Sequence, residues 1–193
     1  MTQHEPRKDG ESLSDYCARR LAGGVLLSGK HEPNGQACAL ELVSQYRGLN
    51  WSDVPGAVGM PDVRAINDAR WSSDAARTEA MLPLLESLLW WKDDDGARRL
   101  RFVRLLAVRT VNVLVAELPG LSKDIHARCL AAKDCASAAN AAYAANAANA
   151  AYATYAASAA NAAYAAAATI ILKRACALWV ECSEASAAPM GAA

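Results

Sequence analysis

Apolar residues recur along this chain at the three- and four-residue steps of helices, and stretches rich in glycine and proline interrupt them. Ser12 or Ser14 is placed to cap a first helix carrying Tyr16, Cys17 and Leu21, which Gly23 and Gly24 then break. The stretch VLLSGKHEPNGQ reads as a loop. A helix resumes near Gln36, with Cys38, Leu42 and Val43 on its apolar side and Gly48 at its end. LNWSDVPGAVGMPDV is dense in turn residues, and Pro61 then suits the first turn of a helix bearing Val63, Ile66, Asn67 and Asp68. Ser72 or Ser73 caps the next helix, where Pro83 removes one backbone bond and is expected to bend the rod, and the run from Asp93 to Gly96 is a turn. From Ala97 to Leu118 the pattern predicts a helix that is basic at its start and apolar after Arg109, stopped by Pro119 and Gly120. Ser122 caps a last helix predicted to run through His126 and Cys129 straight into a tract of alanine.

In that tract, residues 136–168, nearly every third residue is Asn, Tyr or Ser and almost all the rest is alanine. A strand would alternate with period two and favour β-branched residues, whereas alanine is the best helix former. On a helix a three-residue step turns about 300°, so each marked residue lags the last by roughly 60°. Asn140, Tyr143, Asn146, Asn149, Tyr152, Tyr155, Asn161 and Tyr164 therefore form a ridge winding around the rod beside an alanine groove. Such a ridge offers contact on several sides, and the groove permits close helix packing. The segment TIILKRACALWVEC beyond it is amphipathic and either prolongs the rod or, after a break near Ala168, folds back or dimerises. The fold class expected is all-α. A disordered lead (1–11) precedes a compact helical domain (12–120), then a long Ala-rich helix with its amphipathic end (121–184) and a disordered tail (185–193).

Composition removes several functions. Acidic and basic side chains balance at 20 each over 193 residues, so no global field draws in nucleic acid or an anionic membrane. The polar start MTQHEPRKDGESLSD has no apolar signal-peptide core. The uncharged run between Asp134 and Lys173 carries too many asparagines to be a membrane span. The six cysteines show no two-residue gap, which points to reduced, buried thiols in a cytoplasmic protein and to no metal site. A phosphate-cradling glycine loop, a nucleophile elbow and a metal-type histidine pair are all missing from the sequence, so neither an enzyme nor a cofactor is expected.

Two groups of residues are candidates for binding. Trp51, Ser52 and Asp53 form a pointed loop that either fixes a turn or shares a small polar pocket with Asn67 and Asp68. Arg98, Arg101 and Arg104, at three-residue spacing, suit a phosphate or nucleotide, or else form a solvated face balanced by the aspartates at 93–95.

CALE at 38–41, WSD with Pro55, Asn67 and Asp68, MLPLL at 81–85 and the alanine triplets together resemble a family of uncharacterised bacterial and phage proteins, over roughly residues 37–168. The resemblance implies a phage setting, where small proteins often act by binding a host component, and carries over no catalytic residue. The expected function is a non-catalytic helical binding protein that associates with itself or with a host protein. One alternative is sequestration of a small anionic ligand such as a nucleotide signal. Another is an ice- or surface-binding helix, which the missing Thr series and the winding ridge oppose.

Overall fold

The computed structural model describes residues 7–29, 31, 35–94, 96–116, 121–142 and 161–187, with residues 115 and 161–171 described in backbone only. The described residues contain helices and turns and no strand, as an all-α reading requires. The chain divides into two compact units, Met1–Asp94 and Asp95–Ala193, upstream of the boundary expected near residue 120. The physical reason is that the basic helix after Gly96 packs with the C-terminal helix.

In the first unit, α1 (Leu13–Arg20) starts where the Ser12 hydroxyl accepts a bond from the Asp15 amide, and it ends in a tight turn at Ala22–Gly24. The central element is α2 (Ala39–Tyr46), every residue of which is buried. It begins at Ala39, three residues later than expected, because the Glu41 carboxylate folds back 2.8 Å from the amide of the N-cap residue Cys38 and closes a capping box. Around it lie α1, α3 (Pro55–Val58), α4 (Arg64–Asn67) and α5 (Asp74–Ser87), with Leu13, Leu40, Val43, Met81, Leu84 and Leu85 wholly buried between them. Pro55, not Pro61, opens a helix; α4 instead follows Val63 at its N-cap, with the Asp62 carboxylate just before it accepting the Arg64 amide at 3.1 Å. Ser73 caps α5.

Residues 7–11, expected to be part of a disordered lead, are tied down, while residues 1–6 lie outside the described part. Arg19 grips the Glu11 carboxylate through two bonds of 2.7 and 2.8 Å, and the Tyr46 hydroxyl donates to the Glu11 carbonyl at 2.9 Å.

In the second unit, α6 (Ala97–Thr110) passes into a wider π turn at Val111–Val115. Ser122 caps α7 (Lys123–Ala131), but this helix stops where Ala132 turns extended, so the run expected to pass unbroken into the alanine tract is broken. Asn112 stabilises the break by donating to the carbonyls of Cys129, Leu130 and Ala132 at 2.6, 3.3 and 3.2 Å. A new helix, α8 (135–142), then starts where Asp134 accepts the Ser137 amide at 2.8 Å. Its Ala138 and Ala141 are buried with Val111, Ala116, Cys129 and Ala132. Last comes α9 (Asn161–Ala187), which runs without interruption from the end of the alanine tract through the amphipathic segment, about 40 Å in all. It covers the first residues of the expected tail; residues 188–193 lie outside the described part. None of the described helices is long and apolar enough to cross a membrane.

Cys135 is exposed and the other five cysteines are buried and unbridged. Burial pushes the thiols of Cys38 and Cys176 up to about 12 and that of Cys17 up to about 11.

Two outcomes are expected from these packing details. Replacing Asn112 with Leu leaves carbonyls of the α7 end without their donor and should cost about 1–3 kcal/mol, read as a lower urea midpoint. For Glu11, the Arg19 hydrogen bonds hold the carboxyl down at about 2 instead of 4.5. Its stabilisation is present above the ordinary value and lost as pH falls from there toward 2, so Glu11→Gln should flatten the stability curve in that interval.

Candidate functional site

The polar residues picked out in the first unit converge on one stretch of backbone, Leu26 to His31. Residues 26–29 and 31 there have no regular structure, so their amides and carbonyls need partners from elsewhere. Helix side chains supply most of them. Thr78 Oγ1 accepts the Leu26 amide at 2.8 Å, Arg77 donates to the Leu26 carbonyl at 3.2 Å, and Asn67 Nδ2 donates to the Leu27 carbonyl at 3.0 Å. Asp68 accepts the Gly29 amide at 2.8 Å. Glu41 accepts the His31 amide at 2.8 Å, and Trp51 Nε1 donates to the His31 carbonyl at 2.8 Å.

The clamps are braced by one another. Asn67, only 2% exposed, also accepts the Ala39 amide at 3.3 Å and donates to Asp68 at 2.7 Å. Arg77 reaches the Asn67 carbonyl at 2.8 Å and pairs with Asp74. Glu41 is wholly buried, and its second oxygen lies 3.1 Å from His31 Nδ1, so the imidazole N–H donates to the carboxylate. A buried carboxylate is tolerable only when several donors surround it; Glu41 has the amides of Cys38 and His31 and the His31 ring. A carboxylate that fixes an imidazole is also the orienting half of a general-base pair, but here its bonds secure the loop's main chain as well.

Of the sequence candidates, Trp51, Asn67 and Asp68 are therefore brought together on the same segment. Ser52 fixes its own turn, its hydroxyl accepting the Val54 amide at 3.1 Å and its amide donating to Ser44 at 3.3 Å. Asp53 lies in the field of Arg64, with Asp62 and Asp68, and these carboxylates hold the guanidinium pKa above its ordinary range, chiefly through the Asp62 hydrogen bonds.

Arg98 and Arg101 take up the C-terminal end of α9. Arg98 donates to Ser186 Oγ at 3.3 Å and to the Ser183 carbonyl at 3.1 Å, and Arg101 donates to the Ser186 carbonyl at 3.1 Å. A helix C-terminus has unpaired carbonyls and partial negative charge, which arginine satisfies on both counts. Phe102 packs edge-on against Trp179 at 5.6 Å. Arg104 is not drawn into this contact and is exposed, beside Leu100 and Val103, which are 52% and 51% exposed one helical turn apart.

Of the ridge, Asn140 is exposed on α8, as is Ala139, while Ala138 and Ala141 are buried. Asn161 and Tyr164 are helical in backbone, their side chains outside what is described, and Tyr143, Asn146, Asn149, Tyr152 and Tyr155 lie outside the described residues.

Sequence reading missed Arg77, Thr78 and His31 and took Glu41 only as part of CALE. The spacing of Cys38 and Glu41 was a usable signal, since glutamate three residues after a small N-cap residue marks a capping box. Arg77 and Thr78 carried none, being ordinary residues of a helical pattern. Glu41→Ala should leave the buried Cys38 amide and the half-buried His31 amide and imidazole without their acceptor, at up to about 1–3 kcal/mol for the buried donor and less for the others. Amide exchange at Leu26, Leu27, Gly29 and His31 should accelerate more than exchange within α5; equal acceleration throughout would assign Glu41 to global stability alone. No family model, curated protein or solved structure matches this chain.

Proposed function

We propose that this protein is a non-catalytic helical interaction protein, phage- or prophage-associated as its sequence resemblance implies, that acts by associating with a second copy of itself. The observation that carries the reading is the outward pair Leu100 and Val103 on α6, a helix whose opposite side is committed to α9 through Phe102. Adjacent exposed apolar side chains on an ordered helix are a recurrent sign of a protein-binding surface. The charges around them favour a like partner. Arg104 and Arg109 lie on α6, exposed Glu181 and Glu184 on α9, and Arg109 reaches Glu181 at 3.5 Å. A two-fold arrangement sets each basic strip against the other copy's acidic one. The exposed Asn140 of α8 is a second contact available to the same association.

Light scattering after size exclusion should give a multiple of the monomer mass. Leu100→Asp with Val103→Asp should weaken the assembly by about 3 kcal/mol, on the order of a hundredfold in dissociation constant, while helicity is retained. A monomer at every concentration, or an assembly indifferent to both substitutions, would remove the reading.

A further inference from the structure

The first unit contains a feature that the polar clamp does not use. A cleft of about 350 Å³ is lined by Arg7, Tyr46, Arg47, Leu89, Lys92 and Asp93. Among the described residues it therefore collects three cations and one carboxylate, in a chain whose total charge is zero. Such a concentration of one sign is unfavourable unless the fold or a ligand compensates it.

The fold holds the cations there by specific contacts. Arg47 follows the last turn of α2 and is partly buried. Its guanidinium donates to the carbonyls of Val58, Gly59 and Leu89, at 2.6, 2.9 and 2.5 Å. These partners are neutral, so they fix the orientation of the guanidinium and leave its charge to be balanced from the cleft. Burial pushes the Arg47 pKa down from its ordinary range, and the charge of Asp93 opposes that fall. An anion in the cleft would act in the same direction as Asp93.

Gly59 shows how closely the cations are assembled. Its φ is +71°, and a Cβ there would lie 3.0 Å from Cβ and Cγ of Lys92 and 3.1 Å from Nη1 of Arg47. The absent side chain is what lets the Lys92 stem and the Arg47 guanidinium approach each other over the backbone. On the opposite wall Arg7 lies over the Tyr46 ring at 4.9 Å, a cation–π contact that gives an exposed arginine a defined place. Tyr46 is in turn fixed edge-on against Tyr16 at 5.5 Å.

We propose that this cleft is a binding site for a small phosphate-bearing anion, with Arg47 as its fixed floor and Arg7 and Lys92 as its closing cations. Guanidinium groups present forked donors that match phosphoryl oxygens, and an ammonium adds an adjustable point charge. The free inorganic ion and a nucleotide share that chemistry. The site does not draw on the α6 surface for its support, and it lies in different residues from Arg98, Arg101 and Arg104.

The test is calorimetric titration of the full chain in low-salt buffer with three probes: inorganic phosphate, inorganic pyrophosphate and AMP. Trp90 and Trp91, adjacent to Leu89 and Lys92 in sequence, provide a parallel fluorescence readout. Arg7→Ala with Lys92→Ala is the informative variant, because both side chains are exposed and an unchanged melting temperature confirms the fold. Arg104→Ala is the control. Saturable one-to-one binding of at least one probe is expected, weakened at least tenfold in the double variant and unchanged in the control. Tighter binding of AMP than of phosphate identifies a nucleotide as the source, and equal or weaker binding identifies the free ion; both support the site. Absence of saturable binding by all three probes at millimolar concentration overturns it. Binding that the double variant leaves intact, or that Arg104→Ala weakens as much, also overturns it.

Discussion

The first unit depends on its ability to hold a stretch of irregular backbone against helices without leaving polar groups unpaired. Leu26 is buried, and the chain on either side must follow it inward. A buried amide or carbonyl without a partner costs on the order of 1–3 kcal/mol, so the groups at Leu26, and in part those at the half-buried Leu27 and His31, weigh heavily in a small domain. The six side chains Thr78, Arg77, Asn67, Asp68, Glu41 and Trp51 meet this demand from four different parts of the sequence. This explains why a helix as completely buried as α2 contains a carboxylate: Glu41 closes its own helix N-terminus and fastens the irregular segment at His31 with the same group.

The second unit solves a related problem at helix ends. Short helices have many unpaired carbonyls for their length, and here they are met by side chains from a neighbouring helix. Asn112, placed by the π turn, serves the end of α7, and Arg98 with Arg101 serve the end of α9. Among the described residues, the cluster around Cys129 and Val111 is largely alanine.

These contacts also sort the charged residues. Arginines bonded to main-chain carbonyls, such as Arg77, Arg98 and Arg101, are parts of the scaffold. Arg7, Lys92 and Arg104 remain at the surface, and they mark the places where the fold presents charge outward. The neutral total charge conceals this division, because it sums groups that have entirely different surroundings.

The sequence by itself determined the all-helical class, the cap at Ser122, the caps of α1 and α5 to within two residues, where the structure uses Ser12 rather than Ser14 and Ser73 rather than Ser72, and the loop character of residues 25–29 and 31. Those features follow from local rules: alanine propensity, hydroxyls that accept an N-terminal amide, and glycines at turns. Asn67, Asp68 and Trp51 were legible as candidates because polar or amphipathic residues beside turn signals usually have a definite partner. The identity of that partner was not legible, since Asn67 and Leu27 are distant in sequence and meet only through α4 and α2. The tertiary structure likewise decided the break at Ala132, which no glycine or proline marks and which Asn112 stabilises from another helix. It also decided the domain division at Asp94, the burial of Glu41 and the convergence of Arg47 with Lys92 over Gly59. Local propensity is written within a turn or two of helix, whereas the partner of a buried polar group is set by which segments the core brings into contact.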